Sequence, residues 1–323
     1  MITAQEMDDE RFNNQPVVFH QQFRPSSWSS CDRAIWLNVR NASFITHKAT
    51  TLRTFEIGHR LEDMLIAEVR AAGYKVTHQQ GIISDKWGHE FGHIDGIISN
   101  GKEFALLEIK TANSKRWKEW VKNGAPESYV AQAQIYMHHS AQLSTRGNKL
   151  MKCVFVALNK DTSEVLVDVI NYSEPFATSQ MERVYNIVEA EEMPDGVNDY
   201  RCNFCNHREL CKGEKVTEIN CRTCAHINVV DGGFSCAFGD DVCDRHMIHP
   251  QLMELAGVPI VSINHETQVI DYGRFTQGGK EADKPCLTSG QFKRAKETGL
   301  LTDDFVIELL SRFDAEINGV REL

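Results

Sequence analysis

The chain has 323 residues, of which 41% are hydrophobic and 25% charged, and its formal net charge is −10. This length and apolar content suit one large globular domain plus a smaller one, and they exclude a chain that is disordered throughout. We find no apolar run long enough to cross a bilayer, and the N-terminus is acidic where a signal peptide would be basic and then apolar. We therefore expect a cytoplasmic protein with no membrane partner.

The predicted elements, taken in chain order, describe an α/β protein. A short helix is expected from about Ser30, and a longer one over 52–72, where Gly73 supplies a stop. Strands are expected at 75–83, 90–99 and 103–111, followed by a helix at 128–140, two strands (MKCVFVALNK and SEVLVDVIN) and a helix at 175–189. A strand (PIVSINHETQVIDYG) and a helix at 303–317 end the chain. This order predicts a mixed central sheet flanked by helices.

Asn100-Gly101 stands between two apolar-rich runs and is a strong signal for a hairpin with a two-residue turn. That turn places Asp95 opposite Leu106. Because side chains on a strand alternate between its two faces, Asp95, Glu108 and Lys110 are expected to project from one face of the hairpin.

These charged residues have Ile and Leu neighbours, and an unpaired buried carboxylate is unfavourable. A metal site explains Asp95 and Glu108 better than an exposed edge hairpin does. Oxygen ligands predict Mg²⁺ or Mn²⁺ rather than zinc. Lys110 is expected beside the metal, where its ammonium can stabilise charge on a phosphate oxygen.

Glu62 is a third candidate carboxylate, on the inward stripe of the helix at 52–72. Gly58 lies one turn before it and is unfavourable in a helix interior by about 1 kcal/mol. Close approach of another backbone or of the metal site would explain this glycine. An acid at the edge of the stripe, paired with His59, is the alternative.

Four motifs follow one another in the sequence: Gly58-x₃-Glu62, GHID ending in Asp95, Glu108-Ile109-Lys110, and Gln132-x₃-Tyr136. This ordered set, over residues 31–211, resembles that of the RecB-like PD-(D/E)XK nucleases. The resemblance implies a restriction-endonuclease-like fold, metal binding by Glu62, Asp95 and Glu108, and catalysis by Lys110. It also implies that Gln132 and Tyr136 contact DNA and steady the site. Many relatives carry His at the position of Glu62, so His59 is an alternative ligand.

The same resemblance implies a DNA exonuclease of recombination, repair or phage DNA processing, in a bacterial cell or a phage-infected host. The chain has no GxxxxGK[ST] phosphate loop, so a helicase would be a separate partner, and a single-strand annealing protein is another candidate partner. Two alternatives are a structure-specific endonuclease and a DNA-end-binding or CRISPR-adaptation-type subunit with little cleavage of its own.

Ten cysteines without an export signal favour metal binding over disulfides. Cys202, Cys205 and Cys211 supply three thiolates. A fourth at Cys31 would match the iron–sulfur subgroup of these nucleases, which includes the AddB nuclease domain and CRISPR-associated exonucleases, and would imply a [4Fe–4S] cluster. Zinc held by the same three cysteines and His207 is the alternative.

A second group of soft ligands predicts a structural zinc site. Its members are Cys221, Cys224, Cys236, Cys243 and His246. We therefore expect a nuclease domain over 1–215 with a Cys-rich metal-binding C-terminal appendage, made of a zinc module at 216–250 and a small α/β segment at 251–323.

A basic stretch with interleaved tryptophans follows Lys110, although the chain as a whole is acidic. It contains Lys115, Arg116, Lys118, Trp117 and Trp120. Cations here would meet DNA phosphates, and the tryptophans would stack on bases. The alternative is a solvated helix face.

Overall fold

The computed structural model describes residues 2–15, 24–43, 45–84, 90–143, 147–215, 217–218, 220–230, 233–237 and 248–255, and the strand segments 260–264, 269–272, 275–276 and 280–281. The helices are α1 Ala4–Asn13, α2 Asp32–Val39, α3 Ala49–Ala71, α4 Ser114–Asn123, α5 Glu127–His139, α6 Glu174–Glu189, α7 Arg208–Cys211 and α8 Pro250–Leu255. The strands are β1 Lys75–Thr77, β2 Gly81–Ser84, β3 Glu90–Ile94, β4 Gly96–Ser99, β5 Phe104–Ala112, β6 Lys152–Asn159, β7 Val165–Asn171, β8 Ile227–Val230, β9 Gly233–Cys236, β10 Ile260–Asn264, β11 Val269–Tyr272, β12 Phe275–Thr276 and β13 Lys280–Glu281.

The central sheet has the strand order β1-β4-β5-β6-β7. Strands β5 and β6 are parallel and the other neighbours are antiparallel. The predicted mixed central sheet flanked by helices is therefore confirmed. Because β5 lies in the middle of this sheet, its side chains are covered by helices, and the charged residues it carries are forced into a buried setting.

The main core lies on one face of the sheet. Leu107 and Ile109 of β5 pack there with Leu65 and Ile66 of α3 and with Val156 of β6. Alternation along β5 turns Leu106, Glu108 and Lys110 to the opposite face. The strand therefore separates an apolar layer from a layer that carries the candidate site.

Two predicted strands are each divided in the structure. The segment 75–83 forms β1 and β2 around a turn in which His78 and Gln80 have positive φ angles of 53° and 55°. The segment 90–99 forms β3, which pairs with β2, and β4, which pairs with β1 and β5. Asp95 is the residue between them, where the chain changes its hydrogen-bonding partners.

The predicted two-residue turn at Asn100-Gly101 is wrong. Gly96 pairs with Leu107, and Ser99 pairs with Phe104, so residues 100–103 form a four-residue connection. Asn100 causes the difference, because its Oδ1 accepts hydrogen bonds from the backbone N–H groups of Lys102 and Glu103, both at 2.9 Å. The register moves by two residues, and an even shift leaves every side chain on its predicted face.

The chain forms two compact units. One contains the five-stranded sheet with α3, α4 and α5, and the other contains α2, α7, α8 and the β8–β9 hairpin. The division predicted at residues 215 and 250 stays a prediction. In place of the single strand predicted at 259–273, the structure has two antiparallel strands, β10 and β11, and the helix predicted at 303–317 lies outside the described residues. No helix in the described ranges has the length and apolarity to span a membrane.

Candidate active site

Asp95 is fixed at the point where the chain leaves β3 and enters β4. Its Oδ2 accepts a hydrogen bond of 2.6 Å from the backbone N–H of Ile109. The carboxylate therefore replaces a strand partner for β5 just beyond the Gly96–Leu107 pair. Asp95 is 9% exposed, and this bond holds it beside the even-numbered side chains of β5.

Glu108 is fully buried on β5. Its Oε1 contacts Nζ of Lys110 and accepts a hydrogen bond of 3.1 Å from Nε2 of Gln132. Its Oε2 is also buried and has no hydrogen-bond partner in the described part of the protein. Burial raises the pKa of Glu108 above its usual value, and the negative charge of Asp95 adds to that effect.

Lys110 lies between the two carboxylates. Its Nζ is 3.7 Å from Oδ2 of Asp95, contacts Glu108, and lies 5.5 Å from the centre of the Tyr129 ring. Burial by itself lowers the pKa of this lysine, but Glu108 and Asp95 more than offset it, and the net pKa lies above the usual value. Lys110 is therefore a fixed cation at the site.

Glu62 of α3 approaches the same group of charges, whereas His59 is exposed. Burial, and next the carboxylate of Asp95, raise the pKa of Glu62 to about 7, while Lys110 acts in the opposite direction. Gln80 donates a hydrogen bond of 3.2 Å to Oε1 of Glu62. These interactions favour Glu62 over His59 as the third candidate ligand of the metal.

Gln132 and Tyr136 are buried on α5, at 7% and 3% exposure. Burial favours a supporting role for both residues over the expected contact with DNA. A Cβ atom added at Gly92 would lie 3.0 Å from Cε1 and Cζ of Tyr136, and still closer to the hydroxyl oxygen. The glycine in β3 therefore lets this ring reach the sheet. By contrast, a Cβ at Gly58 would meet no described atom within 4 Å, so no described backbone makes the close approach expected there.

The acidic groups fit a divalent cation through one feature, a buried carboxylate oxygen of Glu108. Across the described ranges, no three His, Cys, Asp or Glu side chains converge in the arrangement of a metal site; the ammonium of Lys110 bridges Asp95 and Glu108 instead. The unpartnered, buried Oε2 of Glu108 is the feature that fits a cation, because an oxygen of this kind is unfavourable without one. Mg²⁺ or Mn²⁺ would suit this all-oxygen set.

The basic stretch after Lys110 forms α4. Lys115, Arg116 and Lys118 are exposed, as DNA contact requires. The expectation of base stacking by the tryptophans is wrong, because Trp117 and Trp120 are 7% and 5% exposed. Their spacing of three residues puts both on the inner face of an amphipathic helix. Trp120 packs edge to face against Tyr129 and Phe155, with ring centres 5.7 Å and 5.9 Å apart.

Two residues that contact the charged side chains, Tyr129 and Gln80, were not predicted from the sequence. Tyr129 precedes Gln132 by three positions on α5, so helical spacing would have placed it on the face that meets Lys110. Gln80 is in the turn between β1 and β2 with a positive φ angle. Nothing in its sequence context signals the hydrogen bond to Glu62.

The first cysteine group lies in the second compact unit. Cys31 caps the N-terminus of α2, where its Sγ accepts from the backbone N–H of Ala34 at 3.4 Å. Burial raises the pKa of Cys205, and the nearby thiols of Cys31 and Cys202 raise it further. Burial also raises the pKa of Cys211, on which Cys205 and Cys31 act in the same direction, although Arg33 lowers it.

His207 does not fit the alternative zinc site. It is 2% exposed, its Nδ1 lies 3.0 Å from Oγ of Ser43, and its Nε2 lies 2.8 Å from Oδ1 of Asn38. A histidine ligand needs a lone pair on one ring nitrogen, and both nitrogens here are engaged.

The second cysteine group is described only in part. Cys221 is exposed, Cys224 buried and Cys236 half-buried, and none of the described cysteines forms a disulfide with another. Cys243 and His246 lie outside the described residues. The zinc site predicted from this group stays a prediction.

Comparison with known proteins gives a family match over part of the chain. Residues 19–142 match the model of the YqaJ-like viral recombinase domain. The uncharacterised protein YqaJ of Bacillus subtilis (strain 168) is 26% identical over 148 residues, which are 43% of this chain and 44% of that protein. The match thus spans less than half the length of the curated relative.

Two solved structures have a similar region. A crystal structure of an alkaline exonuclease (LHK-Exo) from Laribacter hongkongensis is 19% identical with a TM-score of 0.36, and it covers 57% of this chain and 91% of that one. The same enzyme in complex with dAMP is 20% identical with a TM-score of 0.38, over the same shares of the two chains.

We predict opposite effects of two glycine substitutions on stability. Gly92→Ala should lower the free energy of unfolding by about 1–3 kcal/mol, because the new methyl group overlaps Tyr136. Gly58→Ala should raise it by about 0.5–1 kcal/mol, because alanine is the better helix residue and its methyl group meets no described atom within 4 Å. Urea unfolding followed by tryptophan fluorescence measures both. Adding Tyr136→Phe to Gly92→Ala should recover part of the loss; no recovery would contradict the assigned clash.

Proposed function

We propose that this protein is a divalent-metal-dependent DNA exonuclease that hydrolyses phosphodiester bonds in recombination, repair or phage DNA processing. The observation that carries the proposal is the unpartnered buried oxygen of Glu108, held beside Asp95 and Lys110. A purely structural ion pair between Glu108 and Lys110 does not explain why one carboxylate oxygen is buried without a hydrogen-bond partner. The match of residues 19–142 to a viral recombinase domain supports the proposed place in recombination.

Each side chain has a role that follows from its contacts. Asp95 and Glu108 would hold Mg²⁺ or Mn²⁺, with Glu62 as a third acidic group. When bound, this ion supplies Lewis-acid stabilisation of the phosphate that is attacked. Lys110 brings a permanent positive charge to the developing charge on a phosphate oxygen. Gln132 keeps Oε1 of Glu108 in position through its 3.1 Å hydrogen bond, and Tyr136 packs behind the site.

The exposed face of α4 would carry the DNA. Lys115, Arg116 and Lys118 begin a few residues beyond Lys110 and project into solvent. In a chain with net charge −10, phosphates must be met by a local basic surface. This binding does not depend on base stacking by Trp117 or Trp120, which are buried.

The four cysteines Cys31, Cys202, Cys205 and Cys211 would hold a [4Fe–4S] cluster. Cys31 and Cys202 act on the pKa of Cys205, and Cys205 and Cys31 on that of Cys211, which supports a common site, although no three of these thiols converge as metal ligands in the described structure. The engaged ring of His207 argues against the zinc alternative. The cluster would be structural, because hydrolysis needs no electron transfer. A structural zinc in the second group remains part of the proposal.

The Lys110→Ala variant tests the catalytic proposal. Cleavage of linear DNA should require Mg²⁺ or Mn²⁺ and should fall at least about 100-fold in this variant, because a preorganised charge at the phosphate is lost. Lys102→Ala, which removes an exposed lysine of the same hairpin, should cleave like the wild type.

Other outcomes of this assay separate the alternatives. Cleavage of covalently closed circles would indicate an endonuclease. Tight DNA binding without cleavage in either metal would indicate an end-binding subunit. Equal cleavage by Lys110→Ala and the wild type would overturn the proposed mechanism.

Neutralising Lys115, Arg116 and Lys118 together should weaken DNA binding on all sequences alike and reduce the slope of log affinity against log salt. Fluorescence anisotropy between about 50 and 200 mM salt measures this change. A control triple variant at the exposed residues Lys75, Lys102 and Lys152 should keep the wild-type slope. Equal slopes in all three proteins would leave α4 as a solvated helix face.

Protein purified without oxygen should be brown and contain about four iron atoms per chain. Cys31→Ser should lose this iron because the fourth thiolate is removed. Cys153→Ala should retain it, because Cys153 is a buried residue of β6. Iron-free, zinc-containing wild-type protein would contradict the cluster.

A further inference from the structure

A cavity of about 560 Å³ lies between α4 and the start of α5. Arg116, Glu119, Trp120 and Asn123 line it on the α4 side. Their spacing puts them on one face of the helix. Tyr129 and Glu127 are among the residues of the other side. The volume falls within the range of about 300–1,000 Å³ that is usual for ligand pockets.

Tyr129 connects this cavity to the proposed active site. It lines the cavity, and its ring centre is 5.5 Å from Nζ of Lys110. The ring is held by a stacked contact with Phe155 and an edge contact with Trp120, whose centres are 5.9 Å and 5.7 Å away. The Tyr129 ring, which borders both the cavity and Lys110, is therefore held in place by aromatic packing before any ligand binds.

The chemistry of the lining fits a nucleobase better than a phosphate. Glu119 and Glu127 outnumber Arg116, so the charged side chains repel an anion on balance. A base is neutral and carries both donors and acceptors on its edge. Arg116 can donate to those acceptors, Glu119 can accept from ring N–H or exocyclic amino groups, and the amide of Asn123 can do either.

We infer that this cavity receives one base of the DNA strand held at Lys110, at a fixed number of nucleotides from the bond that is cut. The inference rests on the proposed function and deepens it, because it names the part of the substrate that is held and the residues that hold it. Phosphates would follow the exposed cations Lys115 and Lys118, while the base occupies the cavity beside Arg116, Glu119 and Asn123 of the same helix. The cavity thus sets which phosphodiester bond reaches Lys110.

An abasic scan tests this assignment. One nucleotide at a time is replaced by an abasic analogue in a labelled oligonucleotide, and the rate at each bond is measured with Mg²⁺ or Mn²⁺. In the wild type, one abasic position relative to the cut bond should slow cleavage by about tenfold, as loss of one base contact predicts. The Glu119→Ala/Asn123→Ala variant should cleave intact DNA more slowly and show no further loss at that position.

A control variant and a binding measurement make every outcome decisive. Glu182→Ala, which removes an exposed acid on α6, should keep the wild-type pattern. Affinities for the same oligonucleotides are measured without divalent metal. If the wild type cuts no bond, the proposed function fails, and the affinities alone decide whether the cavity binds a base. The inference is overturned if no abasic position slows cleavage by the wild type. It is also overturned if the same position slows the wild type and the double variant equally.

Discussion

The contact between Glu108 and Lys110 in the middle of the sheet is the constraint on which the rest of the site depends. Both residues belong to the central strand β5, where burial opposes every charge. Lys110 contacts only Oε1 of Glu108, and Gln132 donates its hydrogen bond to that same oxygen. The other oxygen is left without a partner in the described structure, and this imbalance is what a bound cation would relieve.

Three surrounding elements bring further side chains to this pair. The chain changes strand partners at Asp95. The carboxylate of Asp95 therefore accepts a hydrogen bond from the backbone N–H of Ile109 on β5. Helix α3 brings Glu62 from the side of the apolar core, and α5 brings Gln132 and Tyr136 from the opposite face. No single element forms the site, so its geometry is a property of the assembled sheet and its two covering helices.

Much of this arrangement was predictable because it depends on periodicity. The alternation of side chains puts Asp95, Glu108 and Lys110 on one face whether the hairpin turn has two residues or four, since the register changes by an even number. The register itself was missed because the side chain of Asn100 hydrogen-bonds to its own loop. The burial of Trp117 and the contact of Gln80 with Glu62 depend on tertiary packing, which sequence spacing does not report.

Mn²⁺ binding by the 323-residue protein without DNA tests most directly whether Glu108 holds a cation. The electron paramagnetic resonance signal of free Mn²⁺ measures this binding. The wild type should bind the ion at a site that Glu108→Gln removes, because an amide keeps the shape of the side chain but supplies a weaker ligand. Glu103→Gln, at an exposed acid of the same hairpin, should bind as the wild type does. Equal Mn²⁺ affinity in the wild type and Glu108→Gln would contradict a cation site at Glu108.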